Sequence, residues 1–183
     1  KDSLEEGLKA YFEKDDRKAA EMFLRMAESG NYKDPVLYHV LSHMFSKGIG
    51  LEKDITQASA MLLKRDELLK EHAEAFTATL PLAESYADKD NAKAEAFLGG
   101  IYSDGLGVSK DDVKSFEFYS RASAHGDASA RKAVLKFYSE GRGVPHDDVK
   151  ASEWYAMAAE QGHEYAQLEL ARRFEEGIGL TKD

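Results

Sequence analysis

A glycine pair recurs at fixed intervals along this chain of 183 residues. A Gly-x-Gly segment followed by Leu or Val begins at Gly105, Gly141 and Gly177, each 36 residues after the previous one. A fourth copy begins at Gly48, one period plus 21 residues before Gly105. A fixed period of roughly 20–50 residues is the signature of a stacked repeat array. Such an array presents an extended binding surface rather than a buried active site.

The residues around each glycine pair also recur, and they predict two helices in every repeat. Upstream, an aliphatic residue seven positions before the first glycine and an aromatic residue three positions before it share one face of a helix, here called helix A. Downstream, an aspartate four positions after the second glycine is a favoured N-cap for a second helix, helix B. These aspartates are Asp54, Asp111, Asp147 and Asp183. Helix B is expected to end at Gly126 and Gly162, with positive φ, and to bury Trp154 between adjacent repeats.

The Gly-x-Gly segment is interpreted as the turn between helix A and helix B, because glycine adopts backbone angles that are unfavourable for other residues. A loop that cradles phosphates would need a preceding strand and a third glycine, or a Gly-Lys-Ser/Thr sequence. Here a helix precedes, and a basic residue stands where the third glycine would be. The predicted structural turn residues are Gly48, Gly50, Gly105, Gly107, Gly141, Gly143, Gly177 and Gly179.

The repeats together predict a single α-solenoid domain over residues 1–183. Its parts are an N-terminal capping repeat (1–30, with Asp15 as the helix B N-cap), repeat 2 (31–65), a helical insertion (66–90), repeat 3 (91–126), repeat 4 (127–162) and the start of a truncated repeat 5 (163–183). Around the insertion we expect an extended helix from Ile55 to about Phe76, a break at 77–81 caused by Pro81, and a short extra helix. Because the chain starts without Met and ends at an N-cap position, we expect it to be a piece of a longer protein.

Composition and charge narrow the function. The net charge of −9 argues against nucleic acid as the main partner, because phosphate neutralisation requires a basic patch. No apolar run approaches the roughly 18 residues of a membrane span. The chain has no cysteine and no recognisable catalytic constellation, so an enzyme such as a hydrolase is the remotest alternative, and no cofactor is predicted. His39 and His43 are four residues apart and could chelate a metal, but no third ligand is suggested, so no metal site is predicted.

These motifs resemble the Sel1-like repeat family, a relative of the tetratricopeptide repeats. The resemblance is fullest from Ala130 through Gly162, with Lys150-Ala151, Trp154-Tyr155 and Ala158-Ala159 in the family's positions. It implies an all-α fold, a right-handed α/α superhelical solenoid of four to five repeats. It also implies a non-enzymatic adaptor or scaffold that binds a protein or peptide partner. The alternative implied by the family is an immunity protein that neutralises a secreted bacterial effector. Glu6-Gly7-Leu8-Lys9-Ala10-Tyr11 is similar to the start of secreted bacterial members, which implies a periplasmic or secreted location, with the cytoplasm as the alternative.

By analogy with tetratricopeptide arrays, helix A lines the concave face, and its outward positions carry basic residues on an otherwise acidic chain. The predicted partner-binding residues are His39, His43, Lys93, Lys132, Lys136 and Arg172. We expect a mildly basic groove that receives an acidic or carboxylate-terminated peptide. The other interpretation is a solvated helix face, which is what a run of charges usually forms.

Overall fold

The computed structural model describes residues 3–144, 146–160, 162 and 164–179, and these residues form ten α-helices and no strand. The helices are α1 (Leu4–Phe12), α2 (Asp16–Glu28), α3 (Pro35–Lys47), α4 (Ile55–His72), α5 (Glu74–Ala87), α6 (Ala92–Asp104), α7 (Asp112–Ala124), α8 (Ala128–Glu140), α9 (Asp148–Glu160) and α10 (Glu164–Glu176). The predicted all-α repeat fold is confirmed. None of the helices in the described part of the chain is long and apolar enough to cross a membrane.

The helices form two compact units. Unit 1 contains α1 to α5 and the turn Gly105–Ser109, and unit 2 contains α6 to α10. The core of unit 1 is built from fully buried side chains that include Phe12, Phe23 and Leu41. In unit 2, Leu135, Tyr155, Ala158 and Ala166 form a buried cluster. Trp154 is partly buried and packs against this cluster, whereas its neighbour Tyr155 is buried within it.

The glycine turns have the predicted backbone. All eight turn glycines have φ between +62° and +70°, and Gly126 and Gly162, which end helix B, are also positive. The second glycine of a turn has a further role, because it lies against the start of an earlier helix. A Cβ atom on Gly50 would collide with the backbone of Asp16, and one on Gly143 would collide with the backbone of Asp112. The repeat therefore keeps the second glycine for close approach as well as for its φ.

The aspartate caps follow the predicted pattern in three repeats. The side chains of Asp54, Asp111 and Asp147 accept hydrogen bonds from backbone N–H groups three residues later, at 2.9–3.0 Å. Asp15 is the N-cap residue of α2, as expected, but its side chain makes no capping hydrogen bond. Asp183 lies outside the described residues.

The insertion differs from its expected form. The chain breaks at Ala73, between α4 and α5, and α5 then runs through 77–81 with Pro81 inside it. The expected break at 77–81 is therefore wrong. A proline inside a helix removes one backbone hydrogen bond. The buried side chains of Phe76 and Ala83 lie on either side of Pro81, and their packing holds this segment in a helix.

Helix α5 packs against α1 and α3 within unit 1. The ring of Tyr86 on α5 lies 5.3 Å from the ring of Phe12, and its hydroxyl donates a hydrogen bond of 2.6 Å to Glu13. At the other end of α5, the fully buried ring of Phe76 meets the edge of His39 at 5.4 Å. The helix A surface of unit 1 is therefore partly covered by the insertion.

Candidate functional site

The helix A surface of unit 2 carries most of the predicted basic residues. Lys132 and Lys136 lie one turn apart on α8, and both are exposed. Lys93 on α6 is half-buried. Arg172 on α10 is exposed, but its guanidinium already contacts Glu169 and Glu176 on the same helix. Lys136 has one weaker acidic neighbour, since its Nζ lies 3.8 Å from Glu140.

A cavity of about 360 Å³ opens beside Lys132, between α8 and α10. Arg131 and Lys132 line one side, and Glu164 and Tyr165 line the other. Its remaining lining residues are Leu135, Ala158, Gly162 and Ala166. The cavity thus has an apolar floor, two basic groups and one acid at the rim, and an aromatic ring that is 61% exposed. This combination suits an extended segment that places one small apolar side chain in the cavity and an acidic group at the rim.

The sequence predicted Lys132 for this surface but not Arg131. Arg131 directly precedes Lys132 in the sequence, but it was not among the predicted partner-binding residues. Its place at the cavity depends on how closely α10 approaches α8, which no residue pattern within one helix reveals. The adjacent basic pair Arg131-Lys132 was the available signal.

In unit 1, His39 and His43 do not form an open basic surface. The Nδ1 atom of His39 lies 3.2 Å from a guanidinium nitrogen of Arg65, and its ring meets Phe76. Burial, with a smaller contribution from Arg65, lowers the pKa of His39 to about 3, so this imidazole is neutral at pH 7 and accepts from Arg65. His43 is half-buried, with its ring 6.5 Å from that of Tyr11.

A group of polar residues in unit 2 has the composition of a metal site. One ligand atom from each of Asp90, Glu95 and His125 lies within 4.8 Å of the others. However, Nδ1 of His125 lies 2.7 Å from one oxygen of the fully buried Glu95, and Nε of Arg121 lies 3.0 Å from the other. The buried carboxylate is thus already engaged by an imidazole and by an ion pair with a guanidinium, so we interpret this group as a polar connection between α6 and α7. His39 and His43 gain no third ligand among the described residues.

Comparison with known proteins assigns the family. Residues 3–31, 38–64, 92–127, 133–163 and 164–183 match the model of the Sel1 repeat. A protective antigen present in uropathogenic Escherichia coli strains, whose crystal structure displays an SLR fold, is similar with 26% identity and a TM-score of 0.53. This similarity covers 91% of the present chain but only 38% of the antigen chain. A Sel1 repeat protein from Oxalobacter formigenes is similar with 26% identity and a TM-score of 0.51, covering 99% of this chain and 79% of that one.

No curated protein sequence matches the chain significantly. Sel1 repeat proteins are generally protein–protein interaction modules, and they are typically non-enzymatic. The repeat matches extend over most of the sequence, and the similar structures share the repeat fold. The chain therefore belongs to the Sel1 repeat family.

Proposed function

We propose that this protein is a non-enzymatic adaptor that binds an acidic segment of a partner protein on the helix A surface of unit 2. The observation that carries the proposal is the cavity between α8 and α10, where Arg131 and Lys132 flank an apolar floor. A carboxylate at the rim would meet two basic groups, and an adjacent apolar side chain would enter the cavity. A free C-terminal carboxylate fits the same rim.

The basic residues differ in how much they are expected to contribute. Lys132 is exposed at the rim, and Lys136 continues the surface one turn further along α8. Arg172 is expected to contribute less, because a partner would have to displace its contacts with Glu169 and Glu176. Lys93 extends the proposed surface on α6.

The two histidines of unit 1 are weaker parts of the proposal. His39 is neutral at pH 7 and is packed against Phe76, so it offers no positive charge to an acidic partner. His43 is half-buried beside Tyr11. We therefore place the main contacts of the proposed interaction on unit 2.

The bacterial sources of both similar structures support a bacterial protein, and we propose a periplasmic or secreted location for it. Basic groups at a groove mainly speed association and fix the register of the bound segment. The interaction is therefore expected to weaken as salt rises, since exposed charges are screened over about 8–10 Å at physiological ionic strength.

The test is fluorescence anisotropy with a labelled eight-residue peptide that has one Leu flanked by Asp and Glu and a free C-terminus. The variant Lys132→Glu with Lys136→Glu should weaken binding about tenfold, because each exposed pair contributes roughly 0.2–1 kcal/mol and reversal turns attraction into repulsion. Lys18→Glu with Lys33→Glu is the matched control, because it changes the net charge equally at exposed positions of unit 1. Equal affinities of the wild type and the Lys132/Lys136 variant would contradict the proposal.

A further inference from the structure

A second and larger groove lies in unit 1, between α2 and α4 and above α3. Its volume is about 710 Å³, which is within the range of roughly 300–1,000 Å³ found for ligand sites. The fully buried Leu41 and the largely buried Tyr38 line it from α3. Leu24 on α2 and Met61 on α4 form its two walls. The groove is therefore apolar inside and opens between two B helices, whereas the cavity of the proposed function lies between two A helices of unit 2.

Met61, which forms one wall of this groove, accounts for part of its width. Met61 occupies the position 13 residues after the first glycine of its repeat, where repeat 3 has Phe118 and repeat 4 has Trp154. Methionine is narrower than these aromatic residues and changes rotamer easily, so a wall made by Met61 can adapt to an inserted side chain. The corresponding aromatic residues show that the fold accepts a larger side chain at this position.

The mouth of the groove is acidic. Glu28 and Glu52 line it from opposite sides, and both are exposed. Among the described residues, neither glutamate forms an ion pair. Asp54 adds a third carboxylate, which caps α4, and Lys53 is the only basic residue among the described residues that line the groove. An apolar groove with an excess of unpaired carboxylates at its mouth is complementary to an apolar side chain that has basic neighbours.

We propose that this groove is a second docking surface, which binds a partner segment that presents a bulky apolar side chain beside Lys or Arg. The apolar side chain enters between Leu24 and Met61, and the basic side chains pair with Glu28 and Glu52. The surface lies in the other unit and has the opposite charge to the cavity at Lys132. It does not depend on the proposed function, and together the two surfaces would let one chain bind two partners of opposite charge.

The test uses a labelled, amidated eight-residue peptide with a central Trp-Leu pair and two Arg on each side, measured by fluorescence anisotropy. Met61→Trp should weaken binding about tenfold or more, because the new ring fills the groove with the residue that α9 carries at this position. Glu28→Lys with Glu52→Lys should weaken it about tenfold by reversing the charge at the mouth. The second variant keeps the test valid if Met61→Trp fails to fold, which circular dichroism and the melting temperature will show.

Three controls define the outcome. Glu71→Lys with Glu117→Lys changes the net charge equally at exposed positions outside the groove, and should leave the affinity within about twofold. A peptide with Glu in place of each Arg should bind much more weakly to the wild type. Lys132→Glu with Lys136→Glu should not weaken binding of the Arg peptide, so failure here and failure of the proposed function are separate results. The proposal is overturned if the Arg peptide does not bind, if it binds folded Met61→Trp as well as the wild type, or if the Glu peptide binds equally.

Discussion

The clearest test of the repeat architecture is the substitution Gly143→Ala, at the second glycine of repeat 4. Gly143 has φ of +62°, which strains any residue with a side chain. An alanine Cβ here would also collide with the carbonyl of Asp112 and lie 2.9 Å from the backbone nitrogen of Val113. These atoms belong to the first turn of α7, so they cannot move away as the end of a flexible side chain could.

The magnitude follows from separating these two effects. Gly126 has φ of +96°, and nothing in the described part of the chain lies within 4 Å of the Cβ that would be added. Gly126→Ala therefore reports backbone strain alone, which costs about 1–2 kcal/mol. Gly143→Ala adds the displacement of packed backbone, for which overpacking data suggest about 1–3 kcal/mol more. The expected total for Gly143→Ala is roughly 2–5 kcal/mol.

Urea denaturation at 25 °C, followed by circular dichroism, measures the free energy of unfolding of both variants and the wild type. Gly141→Ala completes the series, since Gly141 has φ of +65° and its added Cβ would meet the Cβ of His146 at 3.3 Å. We expect the loss of stability to increase from Gly126→Ala through Gly141→Ala to Gly143→Ala. If Gly143→Ala costs no more than Gly126→Ala, close approach to α7 is not why this glycine is required.

Two further predictions concern the core and the pH dependence of stability. Tyr155→Ala should cost about 3–5 kcal/mol and Trp154→Ala clearly less in urea denaturation, because Tyr155 is 5% exposed whereas Trp154 is only partly buried; equal losses would contradict this order. His39, with its pKa lowered to about 3, takes up a proton near pH 6.5 only when the chain unfolds, so stability should fall as pH is lowered from 7 to 5. His39→Gln should remove up to about 2 kcal/mol of that loss, at 1.36 kcal/mol per pKa unit between 6.5 and 5; an unchanged pH profile would show that His39 titrates normally.

The features that the sequence predicted best are those set by local backbone requirements. A turn at positive φ needs glycine, and a helix start favours an aspartate, so both leave a residue of fixed type at a fixed position. Gly141 and Asp147 could therefore be assigned from their spacing alone, and the structure confirms the positive φ of one and the cap made by the other. Asp15, whose side chain makes no capping hydrogen bond, lies in the repeat that lacks the Gly-x-Gly turn.

The features that were missed depend on contacts between distant parts of the chain. Pro81 is a local signal for a break, but α5 continues through it because Phe76 and Ala83 are buried on either side. The same packing places Phe76 against His39. His39, which was predicted to bind the partner, is therefore a neutral and half-buried residue. Similarly, the spacing of residues on α8 predicted Lys132 as a partner-binding residue. The cavity beside Lys132 could not be predicted in this way, because Tyr165 of α10 forms part of its lining.

The repeats also indicate where specificity can vary without loss of the fold. Substitution of a turn glycine is costly, because its φ is positive and because the second glycine of the turn also lies close to the backbone of another helix, whereas the position 13 residues after the first glycine carries Met61, Phe118 and Trp154 in successive repeats. This position lies on helix B, and in unit 1 it forms a wall of the 710 Å³ groove. A change of side-chain size there alters the space between neighbouring B helices and leaves the turn and the cap untouched. An array built in this way can acquire a docking groove in one repeat through single substitutions, because each repeat is stabilised mainly by its own helices and its neighbours.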